Sequence, residues 1–270
     1  VDMAMMVHTS ASPEDRKFAV GGTSNGHLAK YVRFVGKASH AGSAPHLGVN
    51  ALQAAMVAMN AINAQRETLR EEDVVRLHGI ITSGGDAANA VPDDVRYEGR
   101  VRGATNEAVV DANAKMDRCL RAGALALGAT VEIATIPGYL PVVSNRPLID
   151  LFRGNALNFV DDREFVVHEN GRNRGGSTDM GDVSQIMPAI HPYTGAARGT
   201  GHGSDYLVTD YDQAVIVPAK TMAMTAIDLL VDRARRATEV LAKSPPRMSR
   251  REYVKFQESR LGSETYRPSD

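Results

Sequence analysis

"LAKYVRFVGKASHAGSAPHLGVNALQAAMVAMNAINAQ", residues 28–65, changes its periodicity halfway along. From Leu28 to Val35 the side chains alternate, with Leu28, Lys30, Val32 and Phe34 on one face and Tyr31, Arg33 and Val35 on the other, as in a strand. From Leu52 the apolar residues Leu52, Ala55, Met56, Met59 and Ile62 recur at the spacing of a helical stripe. Gly48 and Asn50 stand where that helix begins. The junction between the two carries His40 and His46 on either side of Pro45, more chemistry than a turn requires.

Working outward, "DVVRLHGIITSG" (73–84) and "DDVRYEGRVRGA" (93–104) are β-rich runs separated by a Gly, Asp and Pro cluster. "NEAVVDANAKMDRCLRAGALALGA" (106–129) returns to helix, with Thr105 as N-cap and Gly128 as stop, and "TVEIATIPGY" (130–139) closes with a strand. The order is strand, helix, strand, strand, helix, strand. That is the split βαβ pattern of a ferredoxin-like sandwich, two helices over one face of a four-stranded antiparallel sheet.

Residues 140–245 alternate differently: helix, the strand "EFVVHE", a Gly-rich loop, the strand "QIMPAIHPY", a second Gly-rich loop and a long helix. This is an α/β layer with too few strands for a sheet of its own. The opening run, "VDMAMMVHTS", lacks an initiator Met and reads like the middle of a strand, so the expected partners lie upstream. Beyond Pro245 and Pro246, a short basic helix is expected as a solvated tail.

Composition narrows the function classes. The net charge of −1 gives no sequence-independent attraction to nucleic acid or to an anionic membrane. Aromatics at 5%, with no Trp, leave the core to Ala, Val, Leu, Ile and Met. The single Cys119 rules out an internal disulfide and fits a reducing compartment such as the cytoplasm. No apolar stretch is read as approaching the roughly 20 residues that span a bilayer.

Four loop clusters could carry chemistry: "MMVHTS" with His8, "SHAGSAPHLG" with His40, "GGSTDMGDVS" with Ser177, Thr178 and Asp179, and "GTGHGSDYL" with His202, Ser204 and Asp205. One scheme makes Ser177 or Ser204 a nucleophile with His202 as base, but neither serine lies in a G-x-S-x-G elbow. The other makes His8 and His202 imidazole ligands of a divalent ion, which lowers the pKa of bound water and polarises a carbonyl. Two ligands are too few, and no H-E-x-x-H or C-x-x-C spacing supplies more.

"VGKASHAGSAPHLGVNALQAA" (35–55), "GGDAANAVPDDVRYEGRVR" (84–102), "NRGGSTDMGDVSQIMPAIHPYTG" (173–195) and "GTGHGSDYL" (199–207) resemble, in this order, the M20 family of metallopeptidases and amidohydrolases, in particular its aminobenzoyl-glutamate hydrolase branch. The resemblance implies a ferredoxin-like lid domain inserted in an α/β catalytic domain. Its boundaries would be 1–26 for the end of the first catalytic half, 27–138 for the lid, 139–245 for the second half and 246–270 for the tail.

It also implies two divalent metal ions, zinc or manganese, with His8 and His202 as ligands, and cleavage of an N-acyl amino acid or dipeptide by metal-activated water. His40 would hold the oxyanion in the partner's site of a lid-mediated homodimer. Asn89 and Arg102 would bind the substrate carboxylate, with Ser177, Thr178 and Asp179 lining the cleft. The family's upstream ligands and its Glu-Glu pair have no counterpart here, since Glu71 and Glu72 fall in a polar loop of the lid. A truncated fragment that acts only as a dimerisation or binding module is the alternative.

Overall fold

The structure is a computed structural model that describes residues 1–268, the side chains of residues 169–172 excepted. Along the chain run β1 (Ala4–Met5), β2 (His8–Ser10), β3 (Phe18–Thr23), β4 (Gly26–Val35), α1 (Ala51–Gln65), β5 (Arg76–Ser83), β6 (Asp94–Gly103), α2 (Asn106–Leu127) and β7 (Thr130–Pro137). They are followed by α3 (Arg146–Ala156), β8 (Phe165–Asn173), α4 (Met180–Ile186), β9 (Ala189–Ile190), β10 (Tyr193–Gly195), β11 (Ala197–Arg198), β12 (Leu207–Val208), α5 (Val217–Lys243), α6 (Arg250–Ser259) and β13 (Gly262–Tyr266). The chain divides into two compact units, one of Val1–Ser24 and Val142–Tyr253, the other of Asn25–Pro141 and Val254–Asp270.

The second unit holds the expected βαββαβ order, with its sheet ordered β13-β7-β4-β6-β5 and every pair antiparallel. One face carries Leu28, Val32, Phe34, Val95, Val101, Val131 and Ile133 into the core beneath α1 and α2. The helices approach closely because their facing residues are small: Ala54 and Ala58 of α1 meet α2 at Gly123, where a Cβ would lie 2.4 Å from the Ala54 carbonyl oxygen. The Asn50 side chain caps α1 by accepting from Gln53 N (2.9 Å), and Thr105 caps α2 by accepting from Ala108 N (3.0 Å). Gly128, at φ 69°, ends α2 in the left-handed conformation that glycine adopts without strain. Lys30 is fully buried among these residues, its Nζ donating to Asp117 Oδ1 (2.6 Å) and Thr135 Oγ1 (2.5 Å).

The end of the chain departs from the expected solvated tail. β13 runs antiparallel to β7 from Gly262↔Thr135 to Tyr266↔Val131, making a fifth strand. Arg121 clamps it by donating to both carboxylate oxygens of Glu264 (2.7 and 2.9 Å), while Gln257 and Arg260 donate to the Gly138 carbonyl. The physical reason is the margin of β7, whose backbone donors and acceptors need partners.

In the first unit β3 is central, with Phe18, Ala19 and Val20 almost wholly buried, in the order β2-β10-β3-β8; β1 pairs with β9, and β11 with β12. Phe18, Phe152 and Phe165 pack at ring separations of 5.5–6.3 Å, with Leu148, Ile149, Ile190 and Leu229 around them. Helix α4 occupies the expected Gly-rich loop and the start of the expected strand 185–193, which survives only as β9 and β10.

The reading that no stretch is long and apolar enough to cross a membrane is corrected. Among the described residues one helical run, Asp212–Lys243, meets that test by length and composition. It is interrupted at Val231–Ala234, where Asp232, Arg233 and Ala234 take positive φ, and it packs against α3, with Asn155 Nδ2 donating to Thr225 Oγ1 (3.3 Å) and Asp228 Oδ2 (2.9 Å).

Candidate functional site

The His40 junction is built by its backbone. Lys37 pairs with Val49 and His40 with Ala90, and Ala41 N donates to the Asn89 carbonyl (2.8 Å), so His40 and Asn89 lie side by side beyond the ends of β4 and α1. Gly48 makes the return possible, since a Cβ there would lie 2.5 Å from Ser39 Oγ. The amides of Gly42 and Ser43 both donate to His40 Nδ1 (3.1 Å each). An Nδ1 that accepts two N–H groups leaves the ring proton on Nε2, and the ring is exposed. His40 thus holds its Nε2–H outward as a donor, a group suited to a developing oxyanion. A depression of 430 Å³ lined by Ala41, Asn50, Leu52, Asp86 and Ala90 adjoins it. His46 sits in a single 3-10 turn ahead of α1 and does not start the helix.

Arg102 lies elsewhere. It is opposite His27 in the β4–β6 ladder, while Asp94, the residue of β6 nearest the His40 junction, is opposite Val35. From Asp94 to Arg102 the strand runs about 26 Å at roughly 3.3 Å per residue. Asn89 and Arg102 of one chain therefore cannot hold the same carboxylate. Arg102 Nε donates to His78 Nε2 (3.3 Å), and burial, then the Arg100 charge, pulls its pKa below the usual guanidinium value.

In the first unit β2 and β10 place His8 opposite Tyr193, with ring centroids 5.7 Å apart, and His191 lies 6.2 Å from His8 and 4.8 Å from Tyr193. His191 is buried with no hydrogen-bond partner at Nε2 among the described residues, and burial, followed by the charges of His8 and Arg174, lowers its pKa to about 4. The guanidinium of Arg174 stacks 4.0 Å from the Tyr193 ring and pairs with both oxygens of buried Asp15 (2.7 and 2.9 Å), which also accepts from Ser10 Oγ (2.5 Å).

Thr178 Oγ1 donates to Asp179 Oδ1 (3.2 Å) at the start of α4, after Ser177, and the Asp179 charge acts on His191. His202, at φ 62°, is exposed in the β11–β12 hairpin, whose loop is closed by Asp205 accepting from Thr200 N. The Thr9 Oγ1–Tyr206 Oη hydrogen bond (2.7 Å) ties this hairpin, which carries His202, to β2, which carries His8.

These groups do not by themselves fit a divalent ion. No group of three His, Cys, Asp or Glu that could hold a metal occurs among the described residues, and two imidazoles are fewer donors than zinc takes. The sequence reading missed the Asp15–Arg174–Tyr193 chain behind His8. Asp15 stands in the polar run "SPEDRK", whose pattern gives no sign of its burial.

Comparison with known proteins agrees with this architecture. A family model described as a peptidase dimerisation domain matches residues 22–126. The Xaa-Arg dipeptidase of Mus musculus is 34% identical over 206 residues, which are 74% of this chain and 47% of that protein. N-acetyldiaminopimelate deacetylase of Leuconostoc mesenteroides is 26% identical over 186 residues, 68% and 46% respectively. The chain spans about half the length of the curated relatives it matches. Among solved structures, an aminobenzoyl-glutamate utilization protein from Klebsiella pneumoniae superposes with a TM-score of 0.68 at 18% identity, covering 86% of this chain and 56% of the other, a likeness of fold. A βαββαβ unit that matches the dimerisation domain, inside a chain whose relatives include an Xaa-Arg dipeptidase, leads to one conclusion: this chain belongs to the M20 peptidase family.

Proposed function

We propose that the protein is the lid-bearing part of an amide hydrolase that releases an amino acid from an N-acyl amino acid or a dipeptide. The observation that carries this reading is His40, whose Nδ1 is held by two backbone amides so that Nε2–H is presented to solvent. An imidazole fixed as a donor stabilises the negative charge that develops on the carbonyl oxygen when an amide is attacked. Arg102 binds the substrate carboxylate, for which a guanidinium fork is suited. Ser177, Thr178 and Asp179 line the cleft around His8 and His202.

A pair of zinc or manganese ions would supply the activation of water. His8 and His202 would be two of their donors, and the remainder would come from outside the described residues. Because Asn89 and His40 lie at one end of the sheet and Arg102 at the other, a complete substrate site takes the first two from one copy of the lid and Arg102 from a second. A homodimer through residues 22–126 meets that need. The unpaired margin at β5, with exposed Ile80, and exposed Met56 and Val57 on α1 support it. The single Cys119, free and buried, supports a cytoplasmic setting. The binding-module alternative is not favoured, because the relatives named above are hydrolases.

The test is hydrolysis of an N-acyl amino acid and dipeptide panel by the full-length gene product. Activity is expected to be lost with chelator, and His40→Ala is expected to lower kcat by about 100-fold or more, the worth of one oxyanion donor, with KM little changed. Absence of hydrolysis across the panel, or a His40→Ala variant as fast as the parent, refutes the reading.

A further inference from the structure

The chain passes from one unit to the other between Ser24 and Asn25, between Pro141 and Val142, and again between Tyr253 and Val254. Within the βαββαβ unit the first two passages are zipped together. His27 N donates to the Tyr139 carbonyl (2.8 Å), Gly138 N donates to the His27 carbonyl (3.1 Å), and the His27 and Tyr139 rings meet edge to face at 5.3 Å. The approach is so close that a Cβ at Gly138 would lie 2.2 Å from His27 Nε2, and one at Gly26 would lie 2.8 Å from Pro141 Cδ.

The third passage leads into a segment that returns to the same place. Gln257 Nε2 (3.3 Å) and Arg260 Nη2 (3.2 Å) both donate to the Gly138 carbonyl, and the buried Arg260 guanidinium lies 4.9 Å from the Phe256 ring. Elsewhere the segment is lightly seated. No described residue of α6 is buried, and Gly262–Thr265 of β13 are exposed. A cavity of 440 Å³ separates Phe256 and Leu261 of the segment from Leu28, Val110 and Ile133 of the sheet and α2, and apolar walls that do not touch forfeit their dispersion contacts. The Arg121–Glu264 pair that clamps β13 has its side chains 33% and 42% exposed, so salt screens it. A segment with so few buried contacts opens locally, well below the free energy of global unfolding.

We infer that residues 244–266 form a releasable strap on the lid. Seated, the strap clamps the Gly138 carbonyl and holds together the two strands through which the chain enters and leaves the lid. Released, it frees that crossing while the lid core stays folded, so the seating of the strap sets the mobility of the lid. Pro245 and Pro246 at its start prevent it from continuing α5, which makes it an element that can leave by itself. This inference goes beyond the amide-hydrolase reading and does not depend on it.

The experiment is hydrogen exchange with mass spectrometry on the 270-residue chain. In the parent, the amides of β13 are expected to exchange at least about tenfold faster than those of β4 and β6, and faster still in high salt. The double variant Gln257→Leu, Arg260→Met keeps the side-chain stems and removes both donors. Its amides at 25–27 and 138–142 are expected to exchange about tenfold faster or more, the worth of a charge-assisted hydrogen bond, with those of α1 and α2 unchanged. A second variant covers the case in which the first does not fold. Ala134→Cys, Ser263→Cys places thiols on directly paired residues of β7 and β13, and the native Cys119 is buried. Oxidation is expected to slow exchange at 25–27 and 138–142, and reductant to restore the parent rate. β13 amides as protected as those of β4, crossing amides indifferent to the state of the disulfide, or an acceleration in the double variant spread evenly over the whole unit each overturn the inference.

Discussion

At the scale of single residues, the chain spends buried positions on charge and on neutral imidazole, and each has a pH signature. His27 is held neutral by burial and by the charges of Arg102, Arg100 and Arg260, with its pKa lowered from 6.5 to about 4. Above pH 6.5 the ring is neutral in the folded and unfolded chain alike and contributes nothing to the pH dependence. As the pH falls from 6.5 towards 4, the unfolded chain takes up a proton that the folded chain refuses, and stability is lost by at most roughly 3 kcal/mol. Urea midpoints at pH 7 and pH 4.5 are expected to differ less in His27→Gln than in the parent; identical pH slopes would contradict the assignment. Residue-scale chemistry was only partly legible in the sequence. His40 stood out because imidazoles flanked a proline in a turn, but its tautomer depends on two backbone amides that only the folded loop brings to Nδ1. Likewise Arg102 and Asn89 are neighbours in the text of the chain and far apart on the sheet, because β6 is extended between them.

At the scale of elements, α1 and α2 are held together by smallness rather than by bulk. Gly123 is the tightest point, with the Ala54 carbonyl oxygen at 2.4 Å and Ala58 Cβ at 2.7 Å from the place a Cβ would take. Alanine is the better helix former by about 1 kcal/mol, yet the atoms it would meet are backbone and cannot swing away. Gly123→Ala is therefore expected to lower stability by about 1–3 kcal/mol, the usual toll of overpacking, in chemical denaturation. A stabilised variant would show that the two helices separate freely. The elements of this unit were the most legible part of the sequence. Periods of two and of three to four, a Thr105 cap and the Gly128 stop are all local signals, and the observed ends of α2 fall on them. β13 was not legible, because "GSETY" has little apolar alternation and owes its pairing to the margin of β7 and to Arg121.

At the scale of the molecule, the two units rest on separate cores of different quality. The βαββαβ unit encloses a cluster from Leu28 to Ile133 that takes in its sheet and both helices, whereas the buried cluster of the other, around Phe18, Phe152 and Phe165, gathers fewer of the described residues. Less apolar surface removed from water means less stabilisation. Two calorimetric transitions are expected, the first accompanied by loss of amide protection in residues 1–24 and 142–253, as read by hydrogen exchange with mass spectrometry. A single transition with simultaneous loss in both units would refute this. The second unit's sheet has a further consequence. A β-sheet can be extended by strand addition at only two margins, and here β13 has moved one of them outward from β7 while β5 forms the other. Two copies that join through β5 about a two-fold axis consume one margin of each and make a single ten-stranded sheet with β13 outermost at both ends. The exposed polar strand "GSETY", and not the apolar body of the sheet, is then what such a pair offers to any further strand.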